Sequence, residues 1–144
     1  MLSRILHDLL RPARVAHAHC DLPCGVYDPA QARIEAESVK AIQTRYQDPE
    51  SFKSKSETVE DYRTRCLDIK ELRANLVKEH LWVLWTDYFK PEHLEKYPQL
   101  HDLFCQATKA AGDAKKSVDP KQGQKLLEVI DEIGKIFWET KQAA

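Results

Sequence analysis

Two thiols, an imidazole, a proline and a glycine fall within nine consecutive residues, His19-Cys20-Asp21-Leu22-Pro23-Cys24-Gly25-Val26-Tyr27. Thiolate sulfur and imidazole nitrogen are side-chain donors that hold transition metals, and no later stretch of the chain concentrates them this way. Pro23 and Gly25 can bend the backbone so that the Cys20 and Cys24 sulfurs face inward as a hook. By itself a pair of cysteines with this spacing is weak as a signal. A closed zinc site wants four ligands, and Cys66 and Cys105 lie far apart in mid-helix patterns with no matching pair. A Cys20–Cys24 disulfide is the structural alternative, and a reducing compartment counts against it.

His19, directly before Cys20, raises the metal reading. In a chain beginning at His19, the free amine, the imidazole, the Cys20 amide nitrogen and two thiolates would all reach one ion. Nitrogen and thiolate donors in a plane suit nickel or copper(II) and not zinc.

The segment before the hook differs in character from the remainder of the chain. Residues 1–18 carry Arg4, Arg11 and Arg14 against Asp8, with Leu2, Ile5, Leu6, Leu9 and Leu10 spaced as on one helical face. A secretory signal needs an unbroken apolar run of at least about 7 residues. Here Arg4, His7 and Asp8 interrupt it, so the segment reads as an amphipathic N-terminal helix or as a removable leader ending at Ala18. With no apolar run near the roughly 20 residues a bilayer demands, the chain reads as soluble. A net charge of -1 with 31% charged residues describes an ordinary surface and argues against nucleic acid as a partner.

The hook is followed by helices. Asp28-Pro29-Ala30-Gln31 is a start signal, with an acid to cap, proline in the first turn and Gln to complete a capping box. The stripe behind it is Ala32, Glu35, Val39, Ile42 and Tyr46, a carboxylate set in an apolar row. After a polar break at Asp48-Pro49, a longer helix from about Glu57 to the Trp82 region has Val59, Tyr62, Cys66, Ile69, Leu76 and Val83 along its seam. Arg65 sits at the edge of that seam, and a short loop would set it at a height comparable with Glu35, where the two could pair. Leu81-Trp82-Val83-Leu84-Trp85 is apolar all round, more than one core stripe uses, so part of it should meet another subunit.

Thr86 to Pro98 reads as an irregular connection with one helical turn. Leu100, Phe104, Ala107, Ala111, Ala114 and Val118 mark a third long helix, and Asp119-Pro120-Lys121-Gln122 repeats the start signal for a fourth that buries Leu126, Val129, Ile130, Ile133 and Phe137. The fold class is all-α, an antiparallel up-and-down four-helix bundle with an N-terminal metal-binding hook. Residues 1–18 form the leader, residues 19–27 the hook and residues 28–144 the bundle. Cys66 and Cys105 read as small core or partly buried residues. His80, His93 and His101 share no ligand spacing, and Trp82, Trp85 and Trp138 read as packing residues.

The hook His-Cys-x-x-Pro-Cys-Gly-x-Tyr is complete at His19, Cys20, Pro23, Cys24, Gly25 and Tyr27, and in it the chain resembles a nickel-containing superoxide dismutase precursor. The resemblance implies a mature enzyme starting at His19, after a maturation peptidase cuts between Ala18 and His19, with one nickel ion per subunit. It implies ligation by the amine and imidazole of His19, the amide nitrogen and thiolate of Cys20, and the thiolate of Cys24. The imidazole would be axial in the oxidised state and leave on reduction. It further implies that Tyr27 lines the approach to the metal, Asp21 and Pro23 shape the hook, and Glu35 with Arg65 stands behind His19, as carboxylates orient a ligating imidazole. Amide and thiolate donors would bring Ni(III) within reach, so that superoxide is disproportionated to dioxygen and hydrogen peroxide in a cytoplasmic homohexamer. A non-catalytic nickel or copper binding or delivery protein would use the same hook without an exchangeable axial position.

Overall fold

The computed structural model describes residues 25–142, so the leader and His19 to Cys24 lie outside the described residues. Helix α1, Ala30–Gln47, begins where the Asp28 carboxylate accepts the Ala30 amide at 2.8 Å. A 3-10 turn, Pro49–Ser51, lies in the connection to α2, Val59–Val83, whose N-cap Thr58 accepts the Asp61 amide at 3.1 Å with Glu60 and Asp61 in the first turn. A π-helical segment, Leu84–Tyr88, and a short helix α3, Pro91–Lys96, lead to α4, Leu100–Lys116. The last helix, α5, runs Pro120–Gln142, with the Asp119 carboxylate accepting the Lys121 amide at 3.0 Å.

Cross-helix pairs fix an antiparallel order. Glu35 meets Arg73 and Tyr46 meets Arg63 between α1 and α2, while Gly134 approaches Pro29 and Gly123 approaches Lys40 between α1 and α5. On the other side Lys70 of α2 meets Lys115 of α4, and Trp85 in the π-helical segment that continues α2 meets His101 of α4. The four long helices therefore form an up-and-down bundle, with α1 flanked by α2 and α5 and α4 on the far side. Alanines carry the close approaches, since Ala32, Ala36, Ala74, Ala107, Ala111 and Ala114 are fully buried. At Gly123 the approach is tighter still. A Cβ there would lie 2.7 Å from Lys40 Cα, so only glycine lets α1 and α5 cross at this height.

The seams of the first two helices are turned from the pattern the apolar residues suggest. α1 buries Ala32, Ala36, Val39 and Gln43, leaving Glu35 and Ile42 at the flank. α2 buries Tyr62, Cys66, Lys70, Ala74, Val77 and Leu81, while Ile69 is 41% exposed. The rotation follows from two polar side chains that the core accepts. Gln43 Nε2 donates to the Ala114 and Ser117 carbonyls at 3.1 Å each, and its Oε1 accepts the Gly123 amide at 3.1 Å. Lys70 Nζ donates to the Ala114 carbonyl at 3.4 Å and to the Lys115 carbonyl. Together they satisfy the carbonyl end of α4 and a first-turn amide of α5, groups that a helix cannot satisfy internally. α4 ends at Lys116, so Val118 lies in the turn, where its carbonyl accepts from Gln47 at 2.9 Å.

Candidate metal centre

Gly25 is the first described residue of the hook, and its φ of +69° is the left-handed conformation that favours glycine. Its carbonyl accepts a hydrogen bond from Lys141 Nζ at 3.3 Å, a residue in the last turn of α5. The same ammonium lies over the rings of Tyr88, at 5.7 Å, and Phe137, at 5.9 Å. Two residues on, the Tyr27 ring packs against Tyr88 with centroids 5.7 Å apart. The root of the hook is thus held at the end of the bundle where α1 begins and α5 ends.

Tyr88 is at the centre of this platform because of the π-helical segment. Its closing bond, from the Phe89 amide to the Leu84 carbonyl at 3.1 Å, inserts a residue into the turn. The Tyr88 hydroxyl lies 2.7 Å from Thr140 Oγ1, while Thr140 spends its one proton on the Phe137 carbonyl at 2.7 Å. Tyr88 is therefore the donor to Thr140. Phe137 and His93 pack on the Tyr88 ring at 4.3 Å and 5.7 Å, and His93 Nδ1 accepts the Lys90 amide at 3.2 Å. Sequence reasoning passed over Tyr88, Thr140 and Lys141. The one signal in the sequence was the cluster of aromatics around Pro91, read as an irregular connection.

Glu35 is held as a carboxylate partner should be, but by a different arginine from the one expected. Arg73 Nη1 donates to both Glu35 oxygens at 3.0 Å, with the Glu35 side chain only 13% exposed. Arg65 instead donates to Glu57 Oε1 at 2.8 Å, is 64% exposed and lies over the Tyr62 ring at 6.0 Å. The correction has a geometric cause. The connection between α1 and α2 sets Tyr46 beside Arg63, so the residue opposite Glu35 lies two turns further along α2 than Arg65.

Among the described residues no three His, Cys, Asp or Glu side chains gather into a metal site. Cys66 is buried beside Tyr62, and burial pushes its thiol pKa up, with Arg65 and Arg45 among the groups pulling the other way. Cys105 is exposed on α4, not a core residue. Among the described residues neither thiol stands with two further His, Cys, Asp or Glu side chains. His19, Cys20 and Cys24, together with Asp21 and Pro23, lie outside the described residues.

The described residues define an antiparallel four-helix bundle with Gly25 and Tyr27 set on an aromatic cluster at one end. The chain belongs to the nickel-containing superoxide dismutase family, whose sequence profile matches residues 14–141. It is 55% identical over 143 residues to the superoxide dismutase [Ni] of Streptomyces seoulensis, covering 99% of this chain and all of that one. Against the enzyme of the same name from Streptomyces coelicolor it is 55% identical over 146 residues, with the same coverage. A crystal structure of Ni-containing superoxide dismutase with nickel ligation of the oxidised state is 57% identical and superposes with a TM-score of 0.77, covering 86% of this chain and 99% of that chain. The native nickel superoxide dismutase structure is 57% identical with a TM-score of 0.75, covering 85% of this chain and 99% of its own.

Proposed function

We infer that this chain is a nickel superoxide dismutase that acts once it begins at His19. The observation that carries the reading is the complete hook motif in a chain of this family, with the hook's root tied down at Gly25 and Tyr27. The donor chemistry fits the metal. Amine, amide, imidazole and two thiolates are nitrogen and sulfur ligands of the kind that nickel takes in a plane, and His19, Cys20 and Cys24 would hold it. When bound, nickel supplies a one-electron Ni(II)/Ni(III) couple, through which two superoxide anions and two protons become dioxygen and hydrogen peroxide.

The chain's own residues set the conditions for that chemistry. Tyr27 and Tyr88 pack with their rings tilted at the root and give the hook an aromatic wall, and Lys141 fixes the carbonyl next to the Cys24 position. Glu35, oriented by Arg73, is the carboxylate available to the His19 imidazole. Arg65 supports Glu57 and acts away from Glu35.

A maturation peptidase cutting between Ala18 and His19 belongs to this reading, since an acylated His19 nitrogen is a poor ligand at neutral pH. The solved relatives support it. Their chains are covered to 99% by about 86% of this one, close to the 126 of 144 residues left when residues 1–18 are removed. One nickel per subunit, a homohexamer and a cytoplasmic location complete the proposal. The exposed Trp82, in the segment apolar on all sides, supports contact with further copies. Among the described residues no helix is long and apolar enough to cross a membrane.

The test is to prepare the uncleaved chain and a chain released to start at His19, load both with nickel, and measure metal content and superoxide removal. The released chain should bind one nickel and turn over, the uncleaved chain should not, and Cys20→Ser or Cys24→Ser should abolish turnover. Nickel binding without turnover in the released chain would establish the delivery protein instead.

A further inference from the structure

A groove of about 520 Å³ opens beside the point where the chain enters the bundle, between the start of α1 and the second half of α5. Pro29 and Ala30 line one side, Ile130 and Gly134 the base, and Trp138 the other side. A Cβ on Gly134 would stand 3.8 Å from the Pro29 ring, so the missing side chain there leaves the base open. Trp138 is 48% exposed, Ile34, one turn beyond Ala30, is 57% exposed, and Val26, just before Asp28, is 77% exposed. Large apolar side chains grouped at one corner of a soluble bundle mark a surface that something covers.

We propose that in the uncleaved chain this groove is the docking site of residues 1–18, which seat Leu2, Ile5, Leu6, Leu9 and Leu10 against Ile130, Gly134 and Trp138. The inference rests on the reading of residues 1–18 as a removable leader. Two observations point to that occupant. Reach is the first: Ala18 is seven residues from Gly25, a span of up to about 25 Å when extended, and the groove begins at Asp28, three residues further on. Tethering at so short a distance gives a millimolar-scale effective concentration, roughly 1 mM or more, which compensates for a modest intrinsic affinity. The second is pattern, since the leader's apolar residues recur with the spacing of one helical face and match a groove that is apolar at its base. Cleavage after Ala18 would then do two things at once, freeing the His19 amine and baring the groove.

Hydroxyl-radical footprinting read by mass spectrometry tests this on the metal-free protein, with Phe52, 49% exposed and at the other end of α1, as the internal reference. In the uncleaved chain the labelling of Trp138 relative to Phe52 should fall at least about threefold below that of the chain starting at His19, as a docked population of roughly two thirds or more requires. Leu6→Asp with Leu9→Asp in the uncleaved chain should restore the ratio. Equal ratios in the cleaved and uncleaved chains overturn the proposal. So does protection of Trp138 in the His19-start chain that grows with protein concentration to the level of the uncleaved chain, because the occupant is then a second copy. Since no nickel is present, the outcome is independent of the amine-ligand reading, which the comparison of superoxide removal by the two chains decides separately.

Discussion

Arg73 grips Glu35 across the α1–α2 interface, one guanidinium nitrogen 3.0 Å from each carboxylate oxygen, while Arg65 turns to Glu57 at 2.8 Å. The two arginines are eight residues apart on one helix, about 12 Å at 1.5 Å per residue. Only one of them can serve the same carboxylate. With Glu35 largely covered and Arg73 40% exposed, the pair is neither a surface ion pair of negligible worth nor a fully desolvated one.

Glu35→Ala and Arg73→Ala should therefore be non-additive, in stability and in dismutase activity, with a coupling of about 1 kcal/mol. Glu35→Ala combined with Arg65→Ala should be additive to within about 0.5 kcal/mol, because the two residues share no partner. A double-mutant cycle by denaturant unfolding checks both, and coupling to Arg65 in place of Arg73 would contradict the observed register.

The difference between those arginines shows what the sequence carries and what it hides. Helix starts are written locally, as at Asp28-Pro29 and Asp119-Pro120, where each aspartate caps the amide two residues on. The α4 and α5 seams are equally plain, since Leu100, Phe104, Ala107, Leu126, Ile130 and Phe137 are apolar and buried. Register is another matter. It depends on how many residues the 3-10 turn and its flanks consume between α1 and α2, and nothing local reports that. The α2 seam was obscured because its central member is Lys70, whose reason for burial is a carbonyl on another helix. Likewise Tyr88 owes its place to an i to i+5 turn that no apolar period announces. The nine-residue hook stands out in the sequence because ligand chemistry needs particular atoms at particular spacing, and its donors His19, Cys20 and Cys24 lie outside the described residues.

Gly123 offers a test of the α1–α5 crossing. A Cβ there would stand 2.7 Å from Lys40 Cα, from Lys40 Cβ and from Gln43 Oε1, and backbone cannot yield as a flexible side chain tip can. Gly123→Ala should destabilise the bundle by about 1–3 kcal/mol, although alanine is the better helix former in isolation. Unfolding in urea measures it, and a stabilised variant would mean that the two helices are free to separate.

Lys70 makes a prediction about alkaline pH. Burial lowers its pKa from the ordinary lysine value, opposed by Glu71 and reinforced by Lys115. Between the lowered value and the ordinary one, the unfolded chain holds more protons than the folded chain, so the stability contributed at this site rises with pH across that window. Below the window both states are protonated and the full cost of burying the charge is borne. Comparing unfolding free energies from neutral to alkaline pH, the parent protein should gain stability relative to Lys70→Met as pH rises. A difference that stays constant would show that Lys70 titrates normally.

The contact between Lys141 and Gly25 should be felt at the metal without being felt by the bundle. The ammonium donates to the Gly25 carbonyl at 3.3 Å while resting over Tyr88 and Phe137, so it ties the residue after Cys24 to the last turn of α5. A hydrogen bond from a charged donor contributes about 1.5–3 kcal/mol when well shielded. At an exposed site the lower part of the range or less applies, about 1 kcal/mol, which is about fivefold in an equilibrium constant. In the chain starting at His19, Lys141→Met should accordingly weaken nickel binding about fivefold in a competition titration, while the thermal midpoint of the metal-free protein stays unchanged. Lys141→Arg, which keeps a donor and a cation over the rings, should recover most of the loss. If Lys141→Met lowered the thermal midpoint and left nickel affinity intact, the lysine would be a fastener of α5 alone, and the root of the hook would be held by Tyr27 on Tyr88.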